Sequence, residues 1–115
     1  MSRDPRLWLE DILRGCDRIL RYVGDRGREE ALGDELILDG ILMNFHVIGE
    51  AVKRLPDDLK AAHKDVPWRQ ISGMRDIVVH LYFALDHEII WDAIQNDVPA
   101  LRAKIQAILG ETPDE

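Results

Sequence analysis

The sequence lacks the features that mark several classes of protein. A single cysteine, Cys16, among 115 residues excludes an intramolecular disulfide and is typical of a reducing compartment. The motifs GxGxxG and GxxxxGK[ST], which cradle phosphates with backbone amides, are absent. Nowhere do about 20 apolar residues follow one another, so we expect no membrane-spanning helix. Charges at Asp4, Arg6 and Glu10 interrupt the stretch where a signal peptide needs an apolar run, so we expect a cytoplasmic protein.

Positive charge is also scarce. The chain has 15 Lys and Arg residues against 22 Asp and Glu residues, which gives a net charge of −7. This balance argues against broad, sequence-independent binding to nucleic acid or anionic membranes, because Lys and Arg hold those partners. Any contact with RNA must therefore be local. Basic side chains do concentrate in the middle third of the chain, at Lys53, Arg54, Lys60, Lys64, Arg69 and Arg75.

The length and composition indicate one folded domain that spans residues 1–115. A hydrophobic share of 46% with 32% charged residues is typical of a globular protein and not of a disordered chain. A domain of this size can bury a core that supports itself. The residue pattern is helical throughout, because apolar residues recur at helical spacing and no alternation of period two appears.

Caps and prolines delimit the predicted helices. Asp4 followed by Pro5 predicts a first helix over about 5–23, and a loop over 23–34 has room for a helical turn at 29–32. Asp34 caps a second helix, and a short helix lies between Pro56 and Pro67. A third helix begins near residue 67 or 68 and includes 74–86, and a fourth begins after 86 with a kink or break at Pro99. The sequence thus predicts an all-α, antiparallel up-and-down bundle of four main helices.

The segment MRDIVVHLYFALD, residues 74–86, carries unexpected polar side chains in an apolar helix. Arg75 and Tyr82 are seven residues apart and lie within about 20° of each other on a helix, while Asp76 and His80, four apart, form a second aligned pair. Burying such groups without partners costs several kcal/mol. The sequence must therefore either satisfy these side chains or use them.

Two hypotheses explain these residues. In the first, Asp76 accepts a hydrogen bond from His80 and Arg75 pairs with a carboxylate such as Glu50, which makes a structural network. In the second, arginine and histidine form a metal-free phosphodiester site. The guanidinium binds the phosphate, and a histidine with a pKa near neutrality moves a proton from the ribose 2′-hydroxyl or to the leaving oxygen.

The remaining candidate residues favour structural roles. One cysteine cannot make a zinc site, and the other histidines lack metal-ligand spacing, so we expect no metal and no cofactor. Cys16 is expected to be inert core packing, with a reactive thiol as the alternative. The tryptophans are expected to anchor the core or an interface. The residues concerned are His46, His63 and His87 and, for the tryptophans, Trp8, Trp68 and Trp91.

From about residue 34 onward the sequence resembles a known family. The segments NFHVIGEAVKRLP (44–56), VPWRQISGMRDIVVHLYF (66–83) and IIWDAIQNDVPALRAKI (89–105) are similar to successive signatures of the HepT-like proteins, a branch of the HEPN superfamily. The resemblance implies an all-α HEPN bundle that forms a homodimer and acts as the toxin of a toxin–antitoxin pair. The family motif of arginine, a polar residue, spacers and histidine matches Arg75, Asp76 and His80.

The resemblance also implies a mechanism. In HEPN ribonucleases the motif residues of two protomers meet in a cleft at the dimer interface and cut RNA without a metal. Arg75 would bind the phosphate, His80 would act as general acid and base, and Asp76 would orient it. Asp76 stands where many relatives have an amide or another polar residue, so this carboxylate must be paired with His80 or Arg75. The RNA substrate, transfer RNA or messenger RNA, is left open.

A second implied role concerns regulation. In type VII systems an MntA-type minimal nucleotidyltransferase antitoxin neutralises the toxin by transferring AMP from ATP to the tyrosine just past the motif histidine, which here matches Tyr82. The helical angle supports this, because an adenylate at Tyr82 would add bulk and negative charge over Arg75. The alternative is a non-catalytic helical binding module that pairs with a nucleotidyltransferase and retains the motif for dimer structure.

Overall fold

The computed structural model describes residues 3–75 and 86–111, and this part of the chain is helical and contains no strand. No helix in the part described is long and apolar enough to cross a membrane. The predicted all-α class is confirmed. The elements, in chain order, are α1 (Pro5–Val23), α2 (Arg28–Leu32), α3 (Glu35–Arg54), α4 (Asp57–Ala62), α5 (Trp68–Ser72), α6 (His87–Asp92), a π-helical segment (Ala93–Asp97) and α7 (Val98–Glu111).

Three aspartates cap the starts of helices, and two of them, Asp4 and Asp34, were predicted as caps. Each side chain accepts a hydrogen bond from a backbone N–H two or three residues further on, at 2.9 Å for Asp4 and 3.1 Å for Asp34 and Asp86. These bonds satisfy N–H groups that have no partner within the helix. The predicted bounds of the first helix, and the starts of the second and the last, are therefore confirmed, together with the short helices α2 and α4.

The core lies where α1 packs against α3 and α7. Branched aliphatic side chains fill it, and burying each one stabilises the fold by about 1.5–3 kcal/mol. Among the described residues Asn44 is the one buried polar side chain, and its amide donates to the Gly40 carbonyl at 2.8 Å. Core residues with 0 or 1% exposure include Leu9, Ile12, Ile19, Ile41, Ile48, Val52, Ile90, Ile94, Val98 and Ile105.

The prediction that the third helix is continuous is wrong. Instead of one helix from residue 67 or 68 through the 74–86 stretch, α5 ends at Ser72 and Gly73 caps it. The Ser72 hydroxyl donates to the Arg69 carbonyl at 3.0 Å, and glycine in a helix interior costs about 1 kcal/mol relative to alanine. Helical geometry resumes at Met74 and Arg75, so the arginine follows directly after a break in the helix.

The predicted interruption at Pro99 takes the form of a π-helical segment. The backbone N–H of Val98 donates to the carbonyl of Ala93, five residues back, immediately before the proline. Proline has no N–H and its ring clashes with the carbonyl four residues earlier in an α-helix, and a wider turn removes that clash. The chain then continues as α7 and reaches α1 across the core.

Candidate phosphate-binding site

Arg75 is the predicted site residue that falls within the described part of the chain. Asp76, His80 and Tyr82 lie outside the described residues. The Arg75 side chain is 29% exposed, so it is partly buried where the chain passes from α5 towards residue 76. The site can therefore be described through Arg75 and the α3 residues that it contacts.

Arg75 pairs with a carboxylate of α3. Its Nη1 donates a hydrogen bond to Oε1 of Glu50, which joins the two segments by a charged contact. The hydrogen bond from Arg75 is the main cause of a lowered pKa at Glu50, and the charges of Arg54 and His46 lower it further against the opposing effect of burial. The structure thus confirms Glu50 as the predicted partner of Arg75.

Gly49 makes the close approach of these segments possible. A Cβ at this position would lie 2.9 Å from the backbone nitrogen of Arg75 and 3.0 Å from its Cβ, closer than real side chains come. The predicted reason for this glycine, contact with another backbone, is confirmed. For Gly40 the same prediction is wrong, because its neighbour is the aromatic ring of Tyr22 at 3.0 Å. The absence of a side chain at Gly49 therefore allows the Arg75 backbone to pack directly against α3.

Glu50 has a second cationic neighbour, Arg54, which was predicted as one of the basic residues of the middle third but not as part of the site. Nη2 of Arg54 lies 3.8 Å from Oε2 of Glu50, so the two carboxylate oxygens face two different arginines. His46 precedes Glu50 by four residues and is exposed. Spacing of i, i+4 places His46, Glu50 and Arg54 on one helix face, and this spacing is the signal that could have identified the cluster.

The cluster places two guanidiniums beside one carboxylate on an acidic protein. A guanidinium remains protonated at any physiological pH. Arginine also presents its donors in a planar fork that matches phosphate oxygens. The arrangement can therefore bind a phosphate group, which is the local contact that the net charge of −7 requires of an RNA-binding surface.

Cys16 has no part in this site. Its side chain is completely buried in α1, and burial raises the pKa of the thiol to about 12. The thiolate is the reactive form of cysteine, so the thiol is unreactive in the folded protein. The structure therefore favours the predicted role in core packing over the alternative of a reactive thiol.

The tryptophans and histidines are dispersed over the molecule. Trp68 is buried and its Nε1 donates to the carbonyls of Lys60 and His63 at 3.1 and 2.9 Å, which confirms it as a core anchor. Trp8 and Trp91 are partly buried against the core. Within residues 3–75 and 86–111, no three His, Cys, Asp or Glu side chains come together in a way that could hold a metal ion.

Comparison with known proteins gives consistent matches along the chain. A candidate RNase of Caldanaerobacter subterraneus subsp. tengcongensis is 36% identical over 107 residues, which cover 93% of this chain and 96% of the relative. The probable ribonuclease HepT of Thermococcus cleftensis is 32% identical over 108 residues, 94% of this chain and 98% of the relative. No solved structure matches the chain.

One relative is a longer protein. In Methanocaldococcus jannaschii, a protein named as a gamma-glutamylcyclotransferase and candidate RNase is 29% identical over 111 residues, and the match spans 96% of this chain but half of the relative. The model of the family described as "Ribonuclease HepT-like" matches residues 12–108, which is most of the sequence. The family model covers most of the sequence and the described fold is all-α, so the chain belongs to the HepT-like ribonuclease family.

Proposed function

We propose that this chain, as a single domain over residues 1–115, is an endoribonuclease that cuts RNA without a metal and acts as the toxin of a type VII toxin–antitoxin system. The observation that carries this proposal is the seating of Arg75 on α3, beside Glu50 and Arg54, in a member of the HepT-like ribonuclease family. Transfer RNA and messenger RNA are the candidate substrates.

The proposed chemistry uses the motif residues in three roles. Arg75 binds the phosphate and neutralises the charge that develops on its oxygens. His80 takes the proton of the ribose 2′-hydroxyl, the 2′-oxygen bonds to phosphorus, and the bond from phosphorus to the 5′-oxygen breaks. The protonated His80 then gives its proton to the leaving 5′-oxygen, and Asp76 orients the imidazole.

The test is RNA cleavage by purified protein in EDTA, with His80→Ala purified identically as the control. Loss of a general acid or base lowers a rate by about 10²–10⁴-fold, so we expect cleavage by the wild type and a decrease of at least about 100-fold in the variant. Equal cleavage by the two proteins would indicate a contaminant. Absence of cleavage by both would remove the enzymatic proposal.

We further propose a homodimer, supported by an apolar stripe on α3. Leu36 is 82% exposed and Met43 is 61% exposed, although both are large hydrophobic residues. Seven-residue spacing places them on one face, and Val47, Glu50 and Arg54 continue the same stripe towards the phosphate-binding site. A second copy that covers the apolar end would bring two copies of the charged end to one cleft.

The dimer is tested by sedimentation of Met43→Glu beside Leu7→Glu. Leu7 is another exposed hydrophobic residue, on α1 at 41% exposure, and provides a control for the added charge. A charge buried in an interface without a partner is strongly unfavourable, so we expect monomers for Met43→Glu and dimers for Leu7→Glu at micromolar concentration. A monomeric wild type would contradict the shared cleft.

Regulation by AMP transfer to Tyr82 completes the proposal. An MntA-type nucleotidyltransferase would join the tyrosine oxygen to the α-phosphorus of ATP and release pyrophosphate. The added adenylate carries negative charge that competes with RNA for Arg75. Mass spectrometry after incubation with ATP and such an enzyme should detect one added AMP on the wild type and none on Tyr82→Phe. The same mass for both proteins would contradict this site.

One observation favours a second function. The pair between Arg75 and Glu50 satisfies both charges within the protein, as a purely structural motif would require. A non-catalytic helical module that binds a nucleotidyltransferase is therefore the alternative. His80→Ala separates the two, because a module has no cleavage to lose and instead loses dimer assembly or binding of its partner.

A further inference from the structure

Glu50 links two arginines that come from different parts of the chain. Its Oε1 accepts the hydrogen bond from Arg75, and its Oε2 faces Arg54 at 3.8 Å. Glu50 and Arg75 are about equally sheltered, with 30% and 29% of their side chains exposed, whereas Arg54 is 63% exposed. The carboxylate thus holds one guanidinium in a partly buried position and lies beside another at the surface.

Arg54 contributes little to stability through this contact. A distance of 3.8 Å is too long for a hydrogen bond, and exposed ion pairs contribute about 0–1 kcal/mol. Among the residues that the structure describes, Glu50 is the ion-pair partner of Arg54. Most of the donors of this guanidinium consequently face solvent on the same helix face that receives Arg75.

The backbone beside Glu50 is closely packed against the segment that carries Arg75. A Cβ added at Gly49 would lie 2.9 Å from the backbone nitrogen of Arg75 and 3.2 Å from the Ser72 carbonyl oxygen, so only glycine leaves room for both. Glu50 is the next residue of α3, so its carboxylate lies directly beside this close contact. A group held in this way can align a guanidinium for an incoming phosphate.

We propose that Arg54 is a second phosphate-binding residue of the ribonuclease site and that Glu50 is the positioning residue that aligns Arg75 and Arg54 along one RNA strand. This inference rests on the proposed function, because it assigns the RNA contacts of the same site. Arg54 contributes affinity for the RNA backbone, whereas Glu50 acts through Arg75 on the rate of cleavage.

The two roles predict different kinetics. Arg54→Ala removes a charged contact that forms in both the ground state and the transition state, so KM should rise about tenfold while kcat stays within about threefold. Glu50→Ala removes the carboxylate that orients Arg75 and keeps both arginines, so kcat should fall at least about tenfold with no increase in KM. Glu50→Gln retains a hydrogen-bond acceptor for Arg75 and should recover part of the lost kcat.

The matched control for Arg54 is Arg14 on α1. Arg14 is 57% exposed and pairs with Asp11 at 3.2 Å, so Arg14→Ala removes the same charge from a similar environment. In a His80→Ala background, which binds without cleaving, the slope of log affinity against log salt for a single-stranded RNA should decrease by about 0.7 with Arg54→Ala. Arg14→Ala should leave that slope and KM unchanged.

The outcomes separate this inference from the proposed function. If the wild type cleaves RNA in EDTA and His80→Ala does not, but Arg54→Ala matches Arg14→Ala in salt slope and KM, then Arg54 does not bind phosphate and the inference fails alone. Glu50→Ala with wild-type kcat would equally contradict the positioning role. Thermal unfolding of each variant verifies the fold, and Glu50→Gln provides the kinetic test if Glu50→Ala does not fold.

Discussion

Within residues 3–75 and 86–111, two arginine–carboxylate pairs join distant segments, and they have different surroundings. On one side, Arg102 of α7 donates through Nε to Asp17 of α1. On the other, Arg75 donates to Glu50 of α3. Each pair is partly exposed and each spans a large separation in sequence. The chemistry of the contact itself therefore does not distinguish a structural pair from one that serves a function.

The neighbours of each pair make the distinction. Asp17 follows Cys16, a completely buried core residue, and among the described residues Arg102 is the cation that pairs with Asp17. Glu50 instead has a second arginine, Arg54, within ion-pair distance. The first pair fastens α7 to α1 over the core. In the second, the further arginine is 63% exposed, so its charge lies at the surface.

The largest effect that we expect concerns the thiol beside the structural pair. Burial raises the pKa of Cys16 from 9.0 to about 12, so the folded protein holds the thiol proton in a pH range where the unfolded chain releases it. The contribution of the protonated thiol to the free energy of unfolding is complete below pH 9. It is lost as pH rises towards 12, at about 1.4 kcal/mol per pH unit. Urea unfolding at several alkaline pH values measures this loss.

The control is Cys16→Ala, which removes the thiol from both states. The difference in free energy of unfolding between the wild type and this variant should decrease as pH rises above 9. A constant difference between pH 8 and 11 would show that Cys16 ionises alike in both states and is accessible in the fold. Such a result would contradict the complete burial of Cys16 in α1.

The next effect concerns the packing that positions the Arg75–Glu50 pair. Gly49→Ala places a methyl group 2.9 Å from the backbone nitrogen of Arg75, so the backbone must shift, and overpacking of this kind costs about 1–3 kcal/mol. Cleavage should decrease together with stability, because Arg75 moves. Chemical denaturation and RNA cleavage in EDTA measure the two effects.

Gly110 provides the matched glycine. A Cβ there meets nothing within 4 Å, and Gly→Ala in the middle of a helix is stabilising by about 0.5–1 kcal/mol, which is an upper value for this position near the end of α7. Gly110→Ala should thus raise stability and leave cleavage unchanged. If Gly49→Ala also left both quantities unchanged, close packing of α3 against the Arg75 segment would not position the arginine.

The smallest effect is the pH dependence of the stability that the Arg75–Glu50 pair contributes. Because the pKa of Glu50 is lowered in the folded state, its contribution to stability is present above its ordinary value of 4.5 and is lost as pH falls through the lowered pKa. The stability advantage of the wild type over Glu50→Gln should be largest near neutral pH and should shrink below pH 4.5. A difference that did not change with pH would contradict an ionised Glu50 paired with Arg75.

Local signals in the sequence were sufficient for most of the fold. Aspartate caps, prolines and helical spacing act over a few residues, and they identified the starts of α1, α3 and α6. The break at Gly73 was missed because the apolar pattern continues on both sides of it. The π-helical form of the interruption before Pro99 depends on how α7 reaches α1, which no local pattern specifies.

The site was predictable to a different extent. Arg75 was identified from its place in an apolar segment, and Glu50 was named as a partner because a partly buried arginine needs a carboxylate. The i, i+4 spacing of Glu50 and Arg54 within α3 was visible in the sequence. That Arg75 meets the same carboxylate depends on the packing of α3 against the Arg75 segment, which no local pattern specifies. The roles of His80, Asp76 and Tyr82 stay predictions, since those residues lie outside the part of the chain that the structure describes.

The most direct test of the central claim, that the Arg75 pair belongs to the ribonuclease site and the Arg102 pair to the scaffold, compares Arg75→Ala with Arg102→Ala in RNA cleavage. Initial rates are measured in EDTA below the unfolding temperature of either variant. We predict a loss of about 100-fold or more for Arg75→Ala and a rate within about threefold of wild type for Arg102→Ala. Wild-type cleavage by Arg75→Ala, or an equal loss in both variants, would contradict the account.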